Sequence, residues 1–227
     1  MNALLVRWHK FDWPNQIWIA LDLSLSFCAT LFWTFFTQVN LRLHGVRQIG
    51  RGLKVTGRLH LFTRRTNSIQ LGHSISITSR FRTNPVGLTT SASIFDTIMG
   101  GQIIIGDGCG MSAVVLSSRS SIHIGAYTKL GGNVRIFDHD YHSLTSSHRR
   151  NLVVDRNNVA TKPVIIEEDV FIGTNAIILK GTKLGARSIV GAGSVVAGLS
   201  VPPDSVVYGN PARFRPQSSP AKRSTSP

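Results

Sequence analysis

Aliphatic residues recur at every sixth position in one stretch of the chain: Ile166, Ile172, Ile178, Leu184, Val190 and Val196. Glycine follows the aliphatic residue at Gly173, Gly185 and Gly191, and small side chains stand two positions before it at Ala176, Thr182, Ser188 and Ser194. A helix needs apolar recurrence at about 3.6 residues and a half-buried strand at about two, so neither accounts for the pattern. A hexad describes one side of a prism-shaped coil, a short strand followed by a corner, with three sides to a turn. Stacked turns set each aliphatic residue over its equivalent and bury a column that no single repeat could bury alone. Aliphatic-glycine pairs at Ile49-Gly50, Leu71-Gly72, Ile105-Gly106, Ile124-Gly125 and Leu130-Gly131 extend the pattern towards the N-terminus. The expectation is an all-β coil over residues 41–215. Its phase slips at 83–100 and 117–121 read as loops or corner adjustments.

Two segments depart from the hexads. Residues 138–163 are mostly polar and charged and read as one external loop leaving the prism between regular turns. A loop this long with no structure of its own is usually functional. Residues 1–40 are mostly apolar from Ile17 to Phe36, interrupted by Asp22. Asp12 before Trp13 and Pro14 marks a helix start. Three uses of such a segment stay open: a helix packed on the coil or a neighbouring subunit, a helix lying on a membrane surface, and a spanning or signal segment. Asp22 and the lack of a small-residue cleavage site weigh against the last. The alternation Ile19, Leu21, Leu23, Leu25, Phe27 is also strand-like, so the element type is itself open.

Charge sharpens the picture. The net charge is +14, and from Leu41 to Phe95 there are nine Lys or Arg residues and no Asp or Glu. Anionic partners are favoured: anionic lipid, a phosphorylated cofactor, or nucleic acid. No aromatic-and-basic module for nucleic acid is visible, so no nucleic-acid partner is expected. Residues 216–227, rich in Pro, Ser, Lys and Arg, read as a disordered basic tail. Cys28 and Cys109 stand in no metal or redox spacing and suit a reducing compartment. The expected location is cytoplasmic, with membrane association through residues 1–40 as an open addition.

The hexads of residues 164–213, closing on Gly209-Asn210-Pro211-Ala212-Arg213, resemble the hexapeptide-repeat acyltransferases, and the sugar O-acetyltransferases among them. The resemblance covers residues 40–215. It implies a left-handed parallel β-helix preceded by a helical segment, a homotrimer, and acetyl-CoA as co-substrate held in a groove between two subunits. Asp138-His139-Asp140-Tyr141-His142-Ser143 resembles the family's catalytic segment and puts the general base at His142, oriented by Asp138 or Asp140. His139, flanked by the same aspartates, is its rival. An imidazole can take the proton of an attacking hydroxyl near neutrality. By the same resemblance Thr174 and Ala192 lie along the pantetheine arm. Arg213 meets the cofactor's phosphates through its forked donors, with Arg215 assisting. Asn84 and Ser112 are candidates for holding the acceptor, and Ser118 is a further polar neighbour. Two departures stand out. Ala197-Gly198 replaces the Thr-Lys found in many acetyltransferases, and an extra residue precedes Val201-Pro202-Pro203.

These expectations amount to transfer of an acetyl group from acetyl-CoA to a hydroxyl of a sugar or glycan, with no metal. A non-catalytic scaffold of the same fold is the alternative. A zinc carbonic anhydrase is a more distant one: that enzyme class pairs ligands five residues apart, whereas the loop histidines here are 139, 142 and 148.

Overall fold

The computed structural model describes residues 13–80, 87–90 and 92–217. Asn84 and the tail from residue 218 onward therefore lie outside the described residues. Strands form three faces, and hydrogen bonding links every third strand. One face joins Ile69–Leu71, Gln102–Ile105, Ser121–Ile124, Val164–Ile166, Lys183–Leu184 and Ser200–Val201 in parallel. A second begins at Lys54–Thr56 and includes Gly110–Ser112, Lys129–Gly132, Phe171–Ile172 and Ile189–Val190. The third runs from Arg58–Phe62 through Arg135–Phe137 and Ile177–Leu179 to Val195–Ala197. The chain thus visits each face in turn and climbs one strand per circuit.

The register explains the hexads. Ile178 pairs with Val196, Ile172 with Val190 and Ile166 with Leu184, a rise of 18 residues, or three hexads, per turn. All six of these side chains are buried, stacked inside the prism. The turn before is longer: Ile136 pairs with Ile178 and Ile124 with Ile166, 42 residues apart. The excess of 24 residues is the external loop. It carries structure of its own, a 3-10 turn at His148–Arg150 and a short helix α2, Leu152–Asn157, where the sequence suggested none. Asn151 caps α2, its side chain accepting hydrogen bonds from the N–H groups of Val153 and Val154.

The N-terminal segment is a helix, α1, Trp13–Leu43, not a strand. It continues three residues past the boundary expected at residue 40. It lies over Lys54–Thr56, the first strand of its face and so a sheet edge. Val55 N–H donates to Thr34 Oγ1 at 2.9 Å, and Thr30 and Thr56 join their hydroxyls at 2.8 Å. The helix thereby covers one end of the coil, as a terminal cap must. Among the described residues no helix is long and apolar enough to cross a membrane. At the other end Ser205–Gly209 folds back antiparallel onto Ala212–Pro216, so Pro216 belongs to a strand.

Candidate active site

The external loop leaves the prism after Arg135–Phe137 and returns at Val164–Ile166. Its two stems are tied together. Asp140 N–H donates to Ala160 O, Lys162 N–H donates to Asp138 O, and Thr161 Oγ1 donates to the same carbonyl. This fixes the residues that open the loop on the rigid coil.

Two histidine–carboxylate pairs result: one joins the rival candidate His139 to Asp138, and the other gives His142 a partner that is neither Asp138 nor Asp140. His139 Nδ1 meets Asp138 Oδ1 at 3.0 Å, and its side chain is 2% exposed. Asp138 is fully buried and accepts three further bonds, from Ser118 Oγ at 2.7 Å and from the N–H groups of Arg119 and Ser120 at 2.7 and 2.8 Å. Burial opposes its ionisation, but the bonds from His139, Arg119, Ser118 and Ser120 prevail and hold it below the usual carboxylate range. A carboxylate so held accepts a proton-bearing Nδ1, which leaves His139 Nε2 as the basic nitrogen.

His142 turns to neither Asp138 nor Asp140. Its Nδ1 meets Asp155 Oδ2 at 2.6 Å, and its side chain is 70% exposed. Asp155, on α2, also accepts the Ser143 N–H at 2.7 Å, and the two bonds, that of His142 foremost, hold its carboxyl low. Asp140 is engaged elsewhere, accepting from Lys180 Nζ at 2.6 Å. The sequence missed Asp155. It lies 13 residues from its partner and is aimed there by the capped helix, a relation that no local spacing encodes.

Both histidines line a cavity of about 280 Å³, together with Asp96, Met99, Arg119 and Tyr141. The His139 ring packs 4.4 Å from that of Tyr141, which in turn meets Phe137 at 5.6 Å. Asp96 is anchored by Ser117 Oγ and the Ile98 N–H.

The expected cofactor residues lie on another edge of the prism. Thr174 and Ala192 follow the paired strands Phe171–Ile172 and Ile189–Val190, at the corner leading to the third face. Thr174 Oγ1 donates to Gly132 O at 2.7 Å, and Ala192 is exposed. A methyl group on neighbouring Gly193 would meet nothing within 4 Å, so this corner is open and backbone-rich. Arg213 and Arg215 are exposed on the terminal hairpin, opposite Tyr208 and Val206. Ser112 lies on the same corner as Thr174, where its carbonyl accepts from Asn133 N–H. Buried Asn133 holds the segment of Gly87 and Thr89 through two side-chain bonds, a role the sequence did not suggest. The structure therefore gathers the histidines in one place and Thr174, Ala192 and Ser112 in another.

Neither cysteine offers a nucleophile in the cavity. Burial pushes the Cys109 thiol up to about 11, and its Sγ donates to Gly125 O. Among the described residues no three His, Cys, Asp or Glu side chains converge as metal ligands.

Comparison with known proteins bears on this arrangement. A family model described as the hexapeptide repeat of succinyl-transferase matches residues 163–197. WbbJ of Escherichia coli (strain K12), whose name assigns it to O-acetyl transfer in lipopolysaccharide biosynthesis, is 31% identical over 161 residues. That match takes in 69% of this chain and 76% of WbbJ. The hexapeptide-repeat containing acetyltransferase VCA0836 from Vibrio cholerae superposes with a TM-score of 0.52 at 26% identity, over 81% of each chain. A mutant of AntD, an N-acyltransferase from Bacillus cereus solved with dTDP and coenzyme A, has a TM-score of 0.59 at 19% identity. It covers 79% of this chain and 88% of AntD, a likeness of fold alone. With the three-faced coil and the 18-residue turn, the WbbJ match establishes that the chain belongs to the hexapeptide-repeat acyltransferases.

Proposed function

We propose that the protein is an acetyl-CoA-dependent O-acetyltransferase acting on a hydroxyl of a sugar or glycan, with a left-handed coil and a homotrimeric assembly. The names of WbbJ and VCA0836 support acetyl transfer, and that of WbbJ supports a glycan acceptor. The observation that carries the chemistry is the Asp138–His139 pair. His139 acts as general base. Its ring is fixed by a carboxylate that is itself fixed by three donors on the coil. A base pre-set on the rigid scaffold needs no reorganisation as the proton moves, whereas His142 stands largely in solvent and is steadied from the loop helix. This reverses the preference read from the sequence.

Acetyl-CoA supplies the acetyl group as a thioester. His139 Nε2 takes the proton of the acceptor hydroxyl as that oxygen bonds to the acyl carbon. The carbon–sulfur bond breaks, and the imidazolium returns the proton to the departing sulfur. Asp138 stabilises the transient imidazolium. The His142–Asp155 pair, on the same cavity, steers the acceptor. Thr174, Ala192 and Gly193 offer an exposed, small-residue corner that suits an extended amide-bearing arm, and Arg213 and Arg215 suit its phosphates.

The test is release of free thiol from acetyl-CoA in the presence of a panel of sugars. His139→Ala is expected to lower kcat by roughly 10²–10⁴-fold with the fold intact. His142→Ala is expected chiefly to raise KM for the acceptor. The opposite assignment, normal kcat in His139→Ala and collapse in His142→Ala, would return the base to His142.

A further inference from the structure

Helix α1 is turned the wrong way round for a helix whose business is only to cover the coil. Its inward side carries Thr30, Thr34 and buried Thr37 beside Leu41 and Trp33, hydrogen-bonded to or packed on the coil. Its outward side carries Leu21, Leu25, Phe32, Phe35 and Val39, and Phe35 is 70% exposed. These residues step by four, seven, three and four, which sets them on one line along the helix. Phe27 and Leu31 widen the line on one side and Phe36 on the other, while Leu43 prolongs it, so the exposed apolar arc covers about half the helix circumference. From Leu21 to Leu43 the ridge runs about 33 Å along the helix. A surface of that size is far more than the scattered exposure normal for a soluble domain.

Cations border this ridge on each side. Lys54 lines the groove beside Phe27, Leu31 and Phe35. Arg58 lines the groove beside Phe32 and Phe36, its guanidinium lying 5.9 Å from the Trp33 ring centre. Arg42 is exposed in the last turn, and Arg47 and Arg51 are exposed just beyond it. The sequence holds no Asp or Glu from Leu41 to Phe95 to answer them.

We propose that α1 is a membrane-surface anchor: its apolar ridge embeds in the outer part of an anionic bilayer while Lys54, Arg58 and Arg42 engage lipid phosphates. Apolar and aromatic residues at the centre, with cations at the rim, match the layering of acyl chains and headgroups. The polar threonine side needs no solvent, since it is satisfied by the coil. A second copy fits the ridge less well. Pairing ridge to ridge would bring Lys54, Arg58 and Arg42 of the two copies face to face, and the residues from Leu41 to Phe95 offer no carboxylate to separate them. In a cyclic trimer the ridge would instead meet a different surface, which the oligomer measurement below distinguishes. The arc is also much broader than the narrow seam of a coiled coil. The inference is independent of the acetyl-transfer reading.

The experiment is co-sedimentation of the full chain with large unilamellar vesicles, of phosphatidylcholine alone or of phosphatidylcholine with phosphatidylglycerol. Binding is expected to the anionic vesicles, released by about 0.5 M salt. The Phe32→Ser/Phe35→Ser variant alters two exposed positions and is expected to keep its thermal transition and its thiol-release activity in solution. Its partitioning should weaken about tenfold or more. Lys54→Glu and Arg58→Glu should each weaken it about fivefold or more. Three results would overturn the proposal: no capture by either vesicle, capture that the serine variant does not diminish, or conversion of an oligomer to monomer by that variant. The last would mean that copies of the chain cover the ridge.

Discussion

Gly173 and Gly191 hold equivalent steps of successive turns, yet a methyl group would meet different surroundings at each. At Gly173 an added Cβ would fall 2.5 Å from Ala192 N in the turn beyond. At Gly191, near the end of the coil, it would find nothing closer than 3.5 Å. The glycine after each aliphatic is thus required by the approach of the next turn, not by its own backbone angle. Gly173→Ala is expected to destabilise by roughly 1–3 kcal/mol, and Gly191→Ala by less than about 0.5 kcal/mol; urea denaturation of the two side by side is the measurement. The aliphatic columns were legible because burial demands one chemical class at every sixth position. A second six-step pattern was not. Asp169, Asn175, Gly181, Arg187 and Gly193 all have positive φ at the corners. There the constraint falls on the backbone, and side chains as unlike as glycine and arginine meet it. Arg187 is further held by a two-pronged pair with Asp204.

At the scale of elements, the hexads carried the strands, and the loop and helix proved harder to read. From Leu21 onward α1 exposes Leu25, Leu31, Phe32 and Phe35 on the side away from the coil, while Thr30, Thr34 and Thr37 share the inward side with Trp33 and Leu41. Hydrophobic patterning assumes the reverse. The value of those threonines can be measured. Val55 is at a sheet edge, and Thr34 Oγ1 accepts its N–H at 2.9 Å. Thr34→Val keeps the shape and removes the acceptor, leaving a part-buried backbone donor unpaired. The expected cost is about 1–2 kcal/mol, read as a lowered thermal midpoint. An unchanged midpoint would mean that water or a neighbouring group takes the donor. The loop follows the same logic. Asp138 was legible as part of the candidate segment, and its partner is the adjacent His139, the rival reading, rather than His142. Asp155 owes its place to the Asn151 cap and to α2, which the polar loop sequence did not announce.

The whole molecule separates the two sets of residues that the proposed chemistry must unite. The histidines stand where the chain leaves Arg135–Phe137 for Val164–Ile166, one edge of the prism. Thr174 and Ala192 stand where it leaves Phe171–Ile172 and Ile189–Val190, a different edge. A single chain that uses both sets would have to carry the acyl donor around a face of the coil. In a cyclic trimer the two edges of neighbouring chains can meet, which is the assembly proposed above. Mixed oligomers test this directly. His139→Ala removes the proposed base, and Ala192→Trp fills the open corner proposed for the acyl donor, so each variant alone is expected to be nearly inactive. Unfolded and refolded together in equal amounts, the two chains can place an intact His139 edge against an intact Ala192 edge. Random cyclic assembly makes about a quarter of such junctions intact, so roughly a quarter of wild-type thiol release should return. If both sets belonged to one chain, each chain would carry a defect, and mixing would recover nothing beyond the two parents. The size of the recovery therefore reports which edges meet, and it does so whatever the acceptor proves to be.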